Sequence, residues 1–321
     1  MTLSFGARLE SRVGKDRVRR DVPLSSYTTF RVGGPADWFF EPRSSDEMVA
    51  ALEVARETLV AVTILGGGSN VLIADAGIRG LVLHPKGGEI HRIDANLVRA
   101  DAAVTINGLV RWTIVHGAAG LEAWAGTPGT VGGAIFGNAH FGGRLIGELV
   151  ESVRLVTREG DERTVPVSEM AFGYDRSRLQ ETGEILLSAD FRVSDGEPAR
   201  LRAVARESLA FRKRTQPLDT PSAGCIFQNP ERGRDRVPDG IPWSAGALVD
   251  RAGLKGAHVG GAAVSETHGN FIVNDGSARA QDIRRLIDRC RSAVHEKFGV
   301  QLREEIVYLG EFDDEGIHPS F

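Results

Sequence analysis

The sequence predicts an α+β protein, and three observations carry that reading. Helix and strand signals come in mixed order, without the steady alternation of a doubly wound sheet. Glycine makes up 39 of 321 residues, about 12% against an ordinary ~7%, and the excess lies in discrete runs with no collagen period. Those runs match neither common nucleotide-binding spacing. Gly66-Gly67-Gly68-Ser69-Asn70 lacks G-x-G-x-x-G and is followed by a strand signal, and G-x-x-x-x-G-K-[ST] is absent.

Each element has its own signal. Arg8, Arg12, Lys15, Arg17, Arg19 and Arg20 are interleaved with Glu10, Asp16 and Asp21, which reads as a solvated amphipathic segment. Ser44 and Glu47 have capping-box spacing, with Val49 and Leu52 following at helical intervals, so a helix opens there. Residues 59–65 read as a buried strand feeding the first glycine run. Residues 71–73 and 80–84 are short strands, and 90–103 a hairpin turning near Asp94-Ala95-Asn96. Residues 106–118 are helical. Strands at 150–157 and 162–165 flank a turn at Glu159-Gly160-Asp161, and 179–193 form a second hairpin around Glu181-Thr182-Gly183. Residues 198–213 form a helix with Leu201, Val204, Ala205 and Leu209 on one face. The charged, proline- and glycine-rich segment 231–242 is a surface loop. A short helix spans 244–252 with Gly253 as its cap. A last helix spans about 277–298, its stripe formed by Ile283, Leu286, Ile287, Cys290, Val294 and Phe298. Residues 306–309 form a strand. One of Glu304 and Glu305 must then face inward, and alternation alone does not choose.

Composition excludes several classes. Hydrophobic residues at 41% and charged residues at 26% fit a soluble chain with a real core. A net charge of −4 argues against a general nucleic-acid binder. No apolar stretch approaches the ~18 residues of a membrane span, and no signal-peptide pattern appears. Two distant cysteines, Cys225 and Cys290, make no disulfide framework, so the cytoplasm is expected. The 8 histidines are scattered and no C-x-x-C occurs, so no metal site is expected.

The chemistry concentrates in two glycine runs. Residues 126–143, GTPGTVGGAIFGNAHFGG, hold seven glycines in eighteen positions. Such a run is costly inside a helix or strand, and it lets backbone N–H groups approach an anionic ligand. The alternative is a pair of tight turns. Cys225, flanked by small residues after Pro221, is either presented at a loop or packed inside. Cys290 falls on the apolar helix face and belongs to the core. Tyr174-Asp175-Arg176-Ser177 alone reads as a surface turn.

Seven segments together resemble the UDP-N-acetylenolpyruvoylglucosamine reductase (MurB) family. They are YTTFRVGGPA from Tyr27, ILGGGSNVLIAD from Ile64, AGTPGTVGGAIFGNA from Ala125, SAGCIFQNP from Ser222, AGALVDRAGLKG from Ala245, VGGAAVSETHGNFIVN from Val259 and EEIVYLG from Glu304. The short stretch between Arg176 and Cys225 resembles the branch that lacks an extra tyrosine-bearing loop.

The resemblance implies a two-subdomain FAD-binding module of the vanillyl-alcohol-oxidase type, residues 1–90 and 91–200, and a C-terminal α+β substrate domain, 201–321. It implies non-covalent FAD held by Gly66, Gly67, Gly68, Ser69, Asn70, Thr127, Gly129, Gly132, Gly133 and Asn138. NADPH would reduce the flavin, hydride would pass to C3 of the enolpyruvyl group, and a protein acid would protonate C2. The acid falls on Cys225, where the family more often has serine. The family glutamate falls on Glu305. The family arginine comes from Y-R-x-S; here Asp175 takes its place and Arg176 is displaced by one. Asn229 matches the asparagine of F-K-N-P, with Gln228 in place of lysine. Lys213 and Arg214 fall where basic residues meet the substrate diphosphate. The implied partners are small molecules, the UDP-sugar and NADPH, and a monomer is expected.

Overall fold

The chain passes repeatedly between two compact units. Unit 1 takes residues 1–19, 38–67 and 80–214, and unit 2 takes 20–37, 68–79 and 215–321. The computed structural model describes residues 4–312.

In unit 1, helix α1 (Phe5–Val13) starts at Ser4, whose hydroxyl accepts from the Ala7 N–H, and α2 (Ser45–Glu57) starts at Ser44, whose hydroxyl accepts from Glu47 N–H at 3.2 Å. Only half of the expected capping box forms. The Glu47 carboxylate instead accepts from Arg43 N–H at 2.7 Å and pairs with Arg17. The Arg17 hydrogen bond holds the Glu47 carboxyl below its ordinary range. The basic N-terminal face is therefore partnered: Arg12 meets Glu53 at 2.7 Å and Arg8 meets Glu57 at 3.4 Å. Leu9, Val13, Met48, Ala51, Val54, Leu81 and Leu83 close one core.

The strand expected over 59–65 is shorter. Leu59 lies at φ +56° and is 94% exposed, so it ends the α2 turn, and the strand is Val62–Ile64, paired parallel with residues 81–83.

A five-stranded antiparallel sheet forms the second core, in the order Glu162–Pro166, Val150–Val156, Ile185–Arg192, Leu97–Asp101, Ile90–Arg92. The expected hairpins at 90–103 and 150–165 are both present. The one at 179–193 is not. Residues Leu179–Thr182 instead make one helical turn, ended by Gly183 at φ +67°. The strand that follows, ILLSADFR, is buried on both faces and inserts between two non-adjacent strands. Helix α3 (Ile106–Val115) covers this sheet through Ile106, Leu109, Val110 and Ile114, and α4 (Val131–Phe136) through Val131, Ala134 and Ile135.

Taking the single turn as α5, the long helix α6 (Pro198–Thr215) completes unit 1. Its buried residues are Leu201, Ala205, Ser208 and Arg212, while Val204 and Leu209 are exposed. The inward face is thus rotated from the one that apolar residues alone suggest, and it ends in a cation.

Unit 2 is built on helices α7 (Ala245–Arg251) and α8 (Ala280–Phe298), a small antiparallel sheet of 258–259, 262–264 and 272–274, and a parallel pair of 71–73 with 307–309. Helix α8 begins at 280 rather than 277 because Asp75 receives the first helical N–H groups, Ala280 at 2.9 Å and Gln281 at 3.1 Å. Gly299 at φ +67° ends it. Ile283, Leu286, Ile287, Cys290 and Val294 pack into one core with Phe30, Phe227, Leu248 and Ile272. Among the described residues no helix is long and apolar enough to cross a membrane. Residues 90 and 200 both fall inside unit 1, where the core around α1 and α2 also takes in Val156 and Leu187; α6 remains with unit 1 through Arg214.

Candidate active site

Two groups of residues gather polar chemistry, one in each unit. In unit 1 the glycine runs pack against each other. A Cβ on Gly67 would lie 2.6 Å from Gly129 Cα, and one on Gly66 would lie 2.7 Å from Thr130 Oγ1. Only hydrogen fits there, so the glycines bring two backbones into contact. Gly132 and Gly133 do different work from the expected N–H donation. The Gly132 N–H binds Ala102 carbonyl at 2.9 Å, and the Gly133 N–H binds Thr130 Oγ1 at 3.3 Å as part of the α4 cap. Asn138 is also occupied within the protein. It is fully buried at φ +45°, donates to Gly173 carbonyl at 2.7 Å and accepts from Gly147 N–H at 2.9 Å.

The inward cation of α6 reaches this segment. Arg212 is 6% exposed, donates to Thr127 Oγ1 at 2.7 Å and lies 3.8 Å over the Phe141 ring. Lys213 and Arg214, chosen from the sequence, are exposed beside it. The signal for Arg212 was spacing: 201, 205, 208 and 212 follow one helical face, and a search for apolar residues skips the arginine. Tight backbone packing, hydroxyls at Thr127 and Thr130, and a buried guanidinium together fit a dinucleotide diphosphate such as that of FAD. His84 lies just behind the first run, its Nδ1 donating to Leu65 carbonyl at 2.8 Å, and burial pushes its pKa down.

The stretch 173–177 is a tight turn. Gly173 and Arg176 exchange N–H···O bonds of 3.0 and 3.3 Å, and the Ser177 hydroxyl donates to Phe136 carbonyl at 2.7 Å. Asp175 sits at φ +53°. Its carboxylate accepts from His140 Nδ1 at 3.0 Å, whereas the Arg176 side chain, 59% exposed, meets Glu181 at 2.6 Å.

In unit 2, backbone pairing joins the segments that carry Cys225 and Glu305. Glu305 N–H donates to Ile226 carbonyl at 2.8 Å and Gln228 N–H to Arg303 carbonyl at 2.8 Å, around a bridge between Phe227 and Glu304. Asn270, 3% exposed, fixes this pairing from the other side. Its Oδ1 accepts from Phe227 N–H at 2.9 Å, its Nδ2 donates to Phe227 carbonyl at 2.7 Å, and its own carbonyl accepts from Ile226 N–H at 2.9 Å. Asn70 holds the opposite strand, donating to Glu305 carbonyl at 3.0 Å. Gly224, at φ +77°, turns the chain immediately before Cys225.

The choice between the two glutamates is settled by their partners. Glu304 turns under α8 to Arg291 at 2.8 Å and Arg284 at 3.4 Å, so Glu305 projects to the other side. The two cysteines differ as well. Cys290 is in the core and burial pushes its pKa up to about 12, whereas Cys225 is only partly buried. Asn229 accepts from Ala245 N–H at 3.0 Å. Gln228, where the resemblance expects lysine, accepts from Arg303 Nε at 3.1 Å, so a cation does stand beside that position. Asn270 was legible only as part of a motif. Its role appears once the paired segments are seen.

Comparison with known proteins agrees with this division. An FAD binding domain model matches residues 36–165, and a model for the UDP-N-acetylenolpyruvoylglucosamine reductase C-terminal domain matches 216–309. The chain is 39% identical over 298 residues to the UDP-N-acetylenolpyruvoylglucosamine reductase of Gloeobacter violaceus, covering 92% of this chain and 97% of that one. It is 37% identical to that of Heliobacterium modesticaldum, covering 90% of each. The crystal structure of the Thermus caldophilus enzyme superposes with a TM-score of 0.76 at 33% identity, over 92% of this chain and 99% of the other. The chain therefore belongs to the UDP-N-acetylenolpyruvoylglucosamine reductase family of FAD-dependent oxidoreductases.

Proposed function

We propose that the protein reduces UDP-N-acetylglucosamine enolpyruvate to UDP-N-acetylmuramate with NADPH, for peptidoglycan precursor synthesis, as a cytoplasmic monomer acting on small molecules. The observation that carries this reading is the backbone pairing of 226–228 with 303–305, which fixes Cys225 and Glu305 on neighbouring segments of unit 2. FAD, when bound non-covalently, supplies hydride acceptance from NADPH and hydride delivery to C3 of the enolpyruvyl group.

The protein's own part is to bind, orient and protonate. Cys225 delivers the proton to C2. A neutral thiol carries a proton that it can donate, as the hydroxyl that the family more often has at this position does. Positioned general acids of this kind contribute about 10²–10⁴-fold. Glu305, with its backbone held at both N–H and carbonyl, stabilises the reacting enolpyruvyl group as charge develops. Lys213 and Arg214 serve the UDP diphosphate. Asn229 binds the substrate, and Arg303 beside Gln228 gives unit 2 a planar donor.

The test is spectroscopic. Purified protein should be yellow, lose its flavin colour with NADPH under anaerobic conditions, and regain it on addition of the enolpyruvyl UDP-sugar. Denaturation should release the flavin into solution. Reduced flavin that oxygen reoxidises but the sugar does not would contradict the reading.

A further inference from the structure

We propose that Arg303 holds an oxyanion of the UDP-sugar in unit 2, in a plane set by Gln228 and in competition with the carboxylates of Glu231 and Asp235. The proposal rests on the function proposed above and deepens it by naming a binding residue and the groups that oppose it.

Three observations carry it. The first is the face on which Arg303 stands. Leu302 and Ile306 are buried in the core of unit 2, and Glu304 between them turns to Arg284 and Arg291 under α8. Side chains of extended backbone alternate, so Arg303 and Glu305 share the other side, two residues apart. The backbone bonds to the facing segment keep this stretch extended: Gln228 N–H donates to Arg303 carbonyl and Glu305 N–H to Ile226 carbonyl, each at 2.8 Å. Arg303 therefore stands next along the chain face from the glutamate assigned to the enolpyruvyl group. Arg284 and Arg291 are committed to Glu304 on the inner side.

The second is a head group that is oriented but under-bonded. Nε donates to Gln228 Oε1 at 3.1 Å across the pairing, which fixes the guanidinium plane. Nη1 is buried and has no hydrogen-bond partner among the described residues. Nη2 faces Glu231 at 3.8 Å and Asp235 at 3.9 Å, both beyond hydrogen-bond length. The side chain as a whole keeps 30% exposure. A charged donor left short of acceptors is costly, and the cost is relieved when an anion supplies them.

The third is that the nearby carboxylates have closer partners. Asp235 Oδ2 accepts from Glu231 N–H at 2.7 Å, and Arg234 lies 3.6 Å from Glu231 and 3.7 Å from Asp235. Both acids belong to the loop 231–242. Asn229 closes its base through Ala245 N–H, and Val237 and Ile241 pack it on the core. The loop thus holds two negative charges near Arg303 without bonding to it, and the planar guanidinium is left to an incoming oxyanion. Carboxylate and phosphate oxygens both match that geometry, and the UDP-sugar carries both groups. Without Arg303 its negative charge would meet Glu305, Glu231 and Asp235 uncompensated on this side of the pairing.

The test is anaerobic stopped-flow of the flavin-loaded enzyme, with reoxidation followed over a range of sugar concentrations. Arg303→Gln should keep its flavin and its rate of reduction by NADPH, and should raise the half-saturating concentration of the enolpyruvyl UDP-sugar about 10- to 100-fold. Arg303→Lys keeps the charge without the fork and should fall between that variant and the parent. A cation supplied from the facing segment, Gln228→Lys in the Arg303→Gln background, should recover about 10-fold of the loss. Glu231→Gln with Asp235→Asn removes the competing charges and should lower the half-saturating concentration about 3-fold; an unchanged or higher value there contradicts the competition. UDP, titrated as an inhibitor of reoxidation, identifies the oxyanion. Its inhibition weakens in Arg303→Gln as much as sugar binding does if the diphosphate is held, and stays at the parent value if the enolpyruvyl carboxylate is held. An unchanged half-saturating concentration in Arg303→Gln overturns the proposal. So does loss of flavin or an equal loss in both half-reactions, which would make Arg303 structural. A parent enzyme that the sugar does not reoxidise overturns the proposed function along with it, whereas a responsive parent with unresponsive variants overturns the Arg303 assignment alone.

Discussion

In unit 1 the parts that meet around the proposed FAD cradle are glycines, hydroxyls and one guanidinium: Gly67 against Gly129, Gly66 against Thr130, Arg212 on Thr127. In unit 2 they are side-chain amides and carboxylates that hold two short segments in register: Asn270 on Phe227, Asn70 on Glu305, Glu304 under α8. The first arrangement works by leaving side chains out, so that backbones approach. The second works by pairing polar side chains with the backbone and with cations. The two should therefore fail differently. Adding atoms should break unit 1, and removing a partner should break unit 2.

The largest effect is expected at Gly67. Replacing it with valine places carbon on the Gly129 backbone, where nothing flexible can yield. Gly67→Val should be folded but colourless, read as the ratio of flavin to protein absorbance. Gly133→Ala, whose nearest new neighbour would be Thr130 Oγ1 at 3.7 Å, should keep its flavin. Full flavin in Gly67→Val would show that the two runs do not form the cradle.

Arg212→Met keeps most of the buried stem and removes the charge. Losing a charge-assisted bond of about 1.5–3 kcal/mol should raise the FAD dissociation constant roughly 10- to 100-fold, measured by flavin fluorescence titration of the apoprotein. An unchanged constant would confine Arg212 to packing on Phe141. A smaller effect is expected in unit 2. Asn270→Ala leaves the Phe227 N–H and carbonyl without their buried partner and should cost about 1–3 kcal/mol, seen as a lower Tm. Flavin binding should be unchanged, which is the sharpest contrast with Gly67.

Much of this was legible in the sequence, for identifiable reasons. The cap at Ser44, the hairpins at 90–103 and 150–165 and the α8 stripe follow from local chemistry that each segment carries by itself. The strand 185–192 was misread as a hairpin arm because its partners lie far away in sequence, at 150–156 and 97–101. Arg212 was missed because its face is defined by Ser208 and Ala205 as much as by Leu201. The glycine runs were visible as composition, but which glycines pack and which N–H groups are already bonded depends on contacts such as Gly132 with Ala102. Asp175 against Arg176 was ambiguous for a similar reason. A motif gives order along the chain, while a turn decides direction.

The central claim is that Cys225 is the proton donor and not ordinary packing like Cys290. The most direct measurement is anaerobic stopped-flow on Cys225→Ala and Cys225→Ser, following flavin reduction by NADPH and reoxidation by the enolpyruvyl UDP-sugar. Reduction should match the parent in both variants. Reoxidation should stay within about 10-fold of the parent for serine and fall about 10²–10⁴-fold for alanine. Reoxidation of Cys225→Ala at the parent rate would contradict the assignment and place the acid elsewhere.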